Sequence, residues 1–193
     1  MLKYNKLEIF TKSNFISFFR ILLVFPTLYF LSMIGEHDKF RYFVIVMFLF
    51  AYISDLLDGY LARKYNEITE FGKVIDPLAD KIFVIAVILQ LYFSGEISTM
   101  YFWIILLRDL IILTGGIVVS KTIGKVLPSN LLGKMTVASI ALFLLGVIAG
   151  AKEIPLLFNF LEYSSIILSF GSVLGYGLRA YETIKWFRKN GNS

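Results

Sequence analysis

Six long apolar stretches, at about residues 14–34, 41–62, 76–94, 100–120, 132–150 and 157–177, constrain this chain more than any other feature. A helix that crosses a bilayer needs about 20 predominantly apolar residues, because its backbone amides must find partners inside their own segment. Polar punctuation separates the stretches: GEHDK at 35–39, a charged loop at 63–75, SGEIST at 94–99, KTIGKVLPSN at 121–130 and AKEIP at 151–155. Hydrophobic residues make up 58% of the chain, against roughly 45–50% in soluble domains. The expectation is an all-α integral membrane protein with one domain over residues 1–193. A short interfacial helix at 1–13 would precede a six-span bundle over 14–177 and a basic tail at 178–193.

Several chemistries are excluded at once. With no cysteine there are no disulfides, thiolate metal sites or cysteine nucleophiles, and His37 is the only histidine. The formal charge of +5 is read as membrane topology and anionic lipid rather than nucleic acid. The first apolar run is too long, and lacks the small-residue site, for a cleaved signal peptide.

Basic residues orient the bundle. Thirteen Lys/Arg fall in the N-terminal segment, loop 63–75, the segment 121–134 and the tail from Arg179; three fall on the other side, Lys39, Arg41 and Lys152. Both termini are therefore expected in the cytoplasm. Arg20, Lys81 and Arg108 remain inside the spans. Charges at that depth face a bundle interior or a wet cavity and are paired.

The chemistry concentrates between spans 2 and 3. Asp55 and Asp58 are three apart at the end of one span, and Asp76 and Asp80 are four apart at the start of the next. Either spacing places two side chains on one helical face. The intervening loop is short enough to bring all four carboxylates to one point near the cytoplasmic interface. Four carboxylates raise one another's pKa unless counter-charge is supplied. Their oxygens suit hard divalent cations, and a carboxylate-bridged pair of metals is a device for phosphoryl displacement. Gly59 and Ala62 leave room for a bulky ligand, Arg63 suits a phosphate oxygen, and Thr69 and Gly72 lie in the loop where a nucleotide could rest. An interfacial helix end and a simple Asp80–Lys81 pair account for single acids but not for four at these spacings.

The pattern D-x-x-D-G-x-x-A-R-x(8)-G-x-x-x-D-x-x-x-D is matched at Asp55, Asp58, Gly59, Ala62, Arg63, Gly72, Asp76 and Asp80. It resembles the signature of the CDP-alcohol phosphatidyltransferase family. The segment SNFISFFR at 13–20 resembles that family's opening to span 1, with Asn14 and Arg20 in its two polar places. The resemblance implies a six-helix bundle with cytoplasmic termini, a homodimer, and a site facing the cytoplasm of a bacterial or archaeal cell membrane. It implies a Mg2+ or Mn2+ pair on Asp55, Asp58 and Asp76, with Asp80 contributing. It implies CDP-diacylglycerol on Asn14, Gly59, Ala62, Arg63, Thr69 and Gly72. Asp80 would be the base that deprotonates the acceptor hydroxyl, and CMP would leave.

The acceptor is the open question. The stretch DGYLARKYNEITEFGKVIDPLADKI is similar to the branch of phosphatidylglycerophosphate synthases and CMP-forming cardiolipin synthases. Span 4 carries Leu107-Arg108-Asp109 where the former have Ala-Arg-Glu, and LPSNLLGKMT at 127–136 is also seen in the latter type. Arg108, Lys134 and Lys125 are the candidate cations for an acceptor phosphate. Glycerol 3-phosphate is the first choice and phosphatidylglycerol the second. A six-span cation transporter stands as the reading from another class; its acids would sit nearer the bilayer midplane, on broken helices.

Overall fold

The computed structural model describes residues 12–65, 72–123 and 131–190. Six α-helices account for nearly all of them: α1 Lys12–Ser32, α2 Lys39–Tyr65, α3 Gly72–Phe93, α4 Thr99–Ile123, α5 Leu131–Ile148 and α6 Pro155–Asn190, with a short 3-10 turn at Ala151–Glu153 before α6. Residues 1–11 of the expected interfacial helix lie outside the described residues.

Helices cover all six expected stretches, but their ends differ. Span 2 was expected to stop at 62 and span 3 to start at 76; α2 continues to Tyr65 and α3 starts at Gly72. Gly72 is thus the first residue of a helix and not part of a loop. The largest difference is in α6, which runs to Asn190, well past the expected end at 177. Hydropathy marks where apolar surface stops, whereas Arg, Lys, Ala and Glu are good helix formers that carry the hydrogen-bond ladder onward.

By length and composition, three helical segments among the described residues can cross a membrane: Thr99–Ile123, Leu131–Ile148 and Pro155–Phe187. Shorter apolar segments occupy Phe18–Ser32 and Lys81–Phe93. The burial pattern departs from that of a soluble protein: polar side chains join the apolar core while many large apolar ones lie outside. Arg20, Thr27, Arg108, Thr136, Ser165, Ser169 and Ser172 are buried, while Phe25, Tyr42, Leu156 and Ile167 are more than half exposed. Such an arrangement is stable where the surrounding solvent is hydrocarbon.

The chain divides into two compact units, Met1–Glu96 and Ile97–Ser193. In the first, α1 packs on α2 and α3. Stacking of Phe30 on Phe43 at one end and the Arg20–Ser54 hydrogen bond at the other make α1 and α2 antiparallel. Phe48 of α2 meets Phe83 of α3 edge to face, with ring centroids 5.5 Å apart. The unit closes with a Schellman cap on α3: Gly95 takes a φ of 69°, and the amides of Gly95 and Glu96 reach the carbonyls of Tyr92 and Leu91.

In the second unit α6 packs on both α4 and α5. Ser98–Glu162, Tyr101–Ser165 and Arg108–Ser172 are hydrogen-bonded pairs at a constant sequence offset. A constant offset means that α4 and α6 run parallel and in register. Helix α5 returns antiparallel to α6; its Thr136 hydroxyl lies 2.9 Å from the Leu168 carbonyl, and Phe143 meets Phe158 at 5.4 Å. At Gly146 the two helices approach so closely that an added Cβ would stand 2.8 Å from Leu161 Cδ1.

Candidate active site

The motif straddles the junction of α2 and α3. Asp55, Asp58, Gly59, Ala62 and Arg63 occupy the last three turns of α2, and Gly72, Asp76 and Asp80 the first turns of α3. The expected three- and four-residue spacings therefore fall on continuous helix, where they count as one turn. The side chains of these residues and of Asn14 lie outside the described structure, as do the whole of Thr69 and Lys125.

The residues around them are described. Ala79, beside Asp80, is fully buried, and Ser54, beside Asp55, is 9% exposed. Arg20 crosses from α1 to this point and donates its Nε–H to the Ser54 hydroxyl at 3.4 Å, while that hydroxyl donates to the Ala51 carbonyl at 2.8 Å. A guanidinium is thus held, almost wholly out of solvent, against the residue that precedes the first motif aspartate. Lys81 differs from the expectation of a third internal cation: it is exposed. Its flexible stem lets the ammonium leave the packed face.

Arg108 lies in α4, in the second unit, and is buried. Its Nε–H donates to the Ser172 hydroxyl at 3.1 Å, and Nη1 pairs with the Asp109 carboxylate. Its other terminal nitrogen, Nη2, has no partner among the described residues. Ser172 belongs to a series on one face of α6. The Ser172 hydroxyl donates to the Ser169 carbonyl, and that of Ser169 to the Ser165 carbonyl. The Ser165 and Tyr101 hydroxyls are 3.1 Å apart. This hydroxyl series was not anticipated from sequence; the signal available was serine at the recurring spacing 165, 169, 172 inside an apolar span. Lys134 is on the exposed surface of α5.

Among the described residues no three acidic or histidine side chains form a metal-sized cluster. The donor set that fits a cation is the motif itself: four aspartates, with no sulfur and no imidazole in it, suit a hard divalent ion.

A sequence profile of CDP-alcohol phosphatidyltransferases matches residues 10–175, which takes in the motif, the first five helices and α6 as far as Gly175. The chain belongs to the CDP-alcohol phosphatidyltransferase family. This member is similar along nearly its whole length to the CDP-diacylglycerol–glycerol-3-phosphate 3-phosphatidyltransferase of Aquifex aeolicus, at 35% identity over 89% of this chain and 96% of the relative. Proteins of the same name from Mycoplasma pneumoniae and Bacillus subtilis are 33% and 37% identical. Those matches cover 63% of this chain and 60% of the first relative, and 47% of this chain and 46% of the second. The expectation of a CDP-alcohol phosphatidyltransferase is borne out at the level of family.

Proposed function

We propose that this membrane protein transfers the phosphatidyl group of CDP-diacylglycerol to sn-glycerol 3-phosphate, releasing CMP and forming phosphatidylglycerophosphate. The observation that carries the reading is likeness to a glycerol-3-phosphate enzyme over 96% of that relative's length. The eight motif positions on the α2–α3 junction supply the chemistry. Six crossings with both termini in the cytoplasm, and a pair of chains in the membrane, belong to the same reading; the distribution of Lys and Arg supports the orientation.

In this reading Gly59, Ala62, Arg63, Thr69, Gly72 and Asn14 hold the CDP portion. Glycine and alanine let the diphosphate approach the helix, and Arg63 donates to it. Asp55, Asp58, Asp76 and Asp80 hold magnesium or manganese, which when bound neutralises charge on the diphosphate and the departing CMP. Asp80 accepts the proton of the acceptor hydroxyl. A new bond then forms from that oxygen to the lipid-linked phosphorus as the bond to the CMP oxygen breaks. Positioning and electrostatic stabilisation provide most of the rate. Arg108 is the candidate partner for the acceptor's phosphate: Ser172 and Asp109 hold its guanidinium, and Nη2 has no partner among the described residues. Lys134 and Lys125 add positive charge.

The test is CMP release by purified protein from CDP-diacylglycerol with magnesium or manganese, with glycerol 3-phosphate, phosphatidylglycerol, inositol phosphate and serine each supplied alone. Release with glycerol 3-phosphate is expected. Release with phosphatidylglycerol instead makes the chain a cardiolipin synthase. Release with none overturns the enzyme reading.

A further inference from the structure

Helix α6 is longer than a membrane crossing requires. Its 36 residues span about 54 Å, against a hydrocarbon core of about 30 Å. Phe160, Tyr163, Ile167, Phe170, Leu174 and Leu178 recur every three or four residues along one face, and each is more than half exposed. From Phe160 to Leu178 this stripe measures about 27 Å, which matches the core. The opposite face carries the buried Leu161, Ser165, Ser169 and Ser172. The stripe is therefore the lipid-facing side of the helix.

Past Leu178 the same stripe changes character. Tyr181, Lys185 and Arg188 occupy its next register positions, and the Lys185 ammonium stands 5.9 Å above the Tyr181 ring. Residues 179–190 contain Arg179, Lys185, Arg188 and Lys189 against one acid, Glu182. Tyr181 and Trp186 are both exposed there, and such rings favour the headgroup layer. Upright, the last 12 residues would carry this segment about 18 Å beyond the core, more than the headgroup layer is deep. A whole-helix tilt of about 20° lowers that end by only a few Å, so the cations meet the leaflet through their long stems reaching back to the headgroups and a bend of the segment toward the stripe side.

We propose that residues 179–190 of α6 form a docking surface for anionic phospholipid headgroups, on which the helix end rests. Each lysine or arginine near such a leaflet is worth roughly a factor of five in partitioning, so three together shift the balance by about a hundredfold. This surface is separate from the transfer reaction, and its test does not depend on activity.

The chain has no cysteine, so Asn190→Cys gives one site for an environment-sensitive fluorophore on the full-length protein. The labelled protein is placed in nanodiscs of phosphatidylcholine alone, or with about 30 mol% phosphatidylserine, without substrate or metal. The account expects quenching by acrylamide to be several-fold weaker in the anionic discs. It expects that protection to vanish at about 0.5 M salt and in the variant K185Q/R188Q/K189Q. Quenching that ignores lipid charge and salt overturns the proposal. So does protection in pure phosphatidylcholine that survives salt, since a protein surface such as a second copy would then cover the segment.

Discussion

In the first unit Arg20 is 1% exposed and reaches Ser54, next to the first motif aspartate; in the second, Arg108 is 8% exposed and is held by Ser172 and by its own neighbour Asp109. Both guanidinium groups are far too deep for an ordinary surface charge, yet their settings differ. Arg108 carries a counter-charge one residue away, embedded in a run of hydroxyls, so its pair is self-contained within α4 and α6. Arg20 is bound to Ser54, at the edge of a segment holding four aspartates. The proposed function gives the two different parts: Arg20 would support the acidic motif, and Arg108 would offer Nη2 to the acceptor's phosphate. Substitutions should separate the two.

Of the two arginines, the larger effect is expected from Arg20→Met. Removing one member of a buried charged set costs about 3–5 kcal/mol when the rest stays buried. The melting temperature should fall, and CMP release should drop on the order of a hundredfold or more. Arg108→Met should act on one substrate: KM for glycerol 3-phosphate should rise by roughly 10- to 100-fold, as for the loss of a charged hydrogen bond. KM for CDP-diacylglycerol should hold within about threefold. Equal responses from the two variants would break the comparison. Ser172→Ala, which leaves the Arg108 charge but removes a clamp, should raise the same KM by about fivefold, from about 1 kcal/mol. Ser172→Thr should restore it. Gly146→Ala should matter least. The atom it meets, 2.8 Å away, is the end of the flexible Leu161 side chain, so a loss below about 1 kcal/mol and unchanged kinetics are expected.

Helix positions were legible from sequence because hydrocarbon imposes one rule on every span. Helix ends were not, as α6 shows: LRAYETIKWFRKN is too charged for a hydropathy window yet forms helix readily. The motif was legible because its meaning lies in spacing, and α2 and α3 preserve that spacing by running unbroken through Asp55–Arg63 and Gly72–Asp80. Lys81 shows where such reading fails. Sequence grouped it with Arg20 and Arg108, but a lysine one residue past Asp80 points elsewhere on the helix and is exposed. The hydroxyl series on α6 was hidden for another reason. A serine in an apolar span can bond back to its own helix, and only the register of α4 against α6 brings Ser165 to Tyr101 and Ser172 to Arg108.

The central claim is that a carboxylate on α3 draws the proton from glycerol 3-phosphate as CMP departs. Its most direct test is the CMP release rate of Asp80→Asn against the unaltered chain, with CDP-diacylglycerol, glycerol 3-phosphate and magnesium saturating. Helix content is checked by circular dichroism. The account predicts a fall of about 10²- to 10⁴-fold in a protein that remains folded. A folded variant that releases CMP within about threefold of the original rate would contradict it.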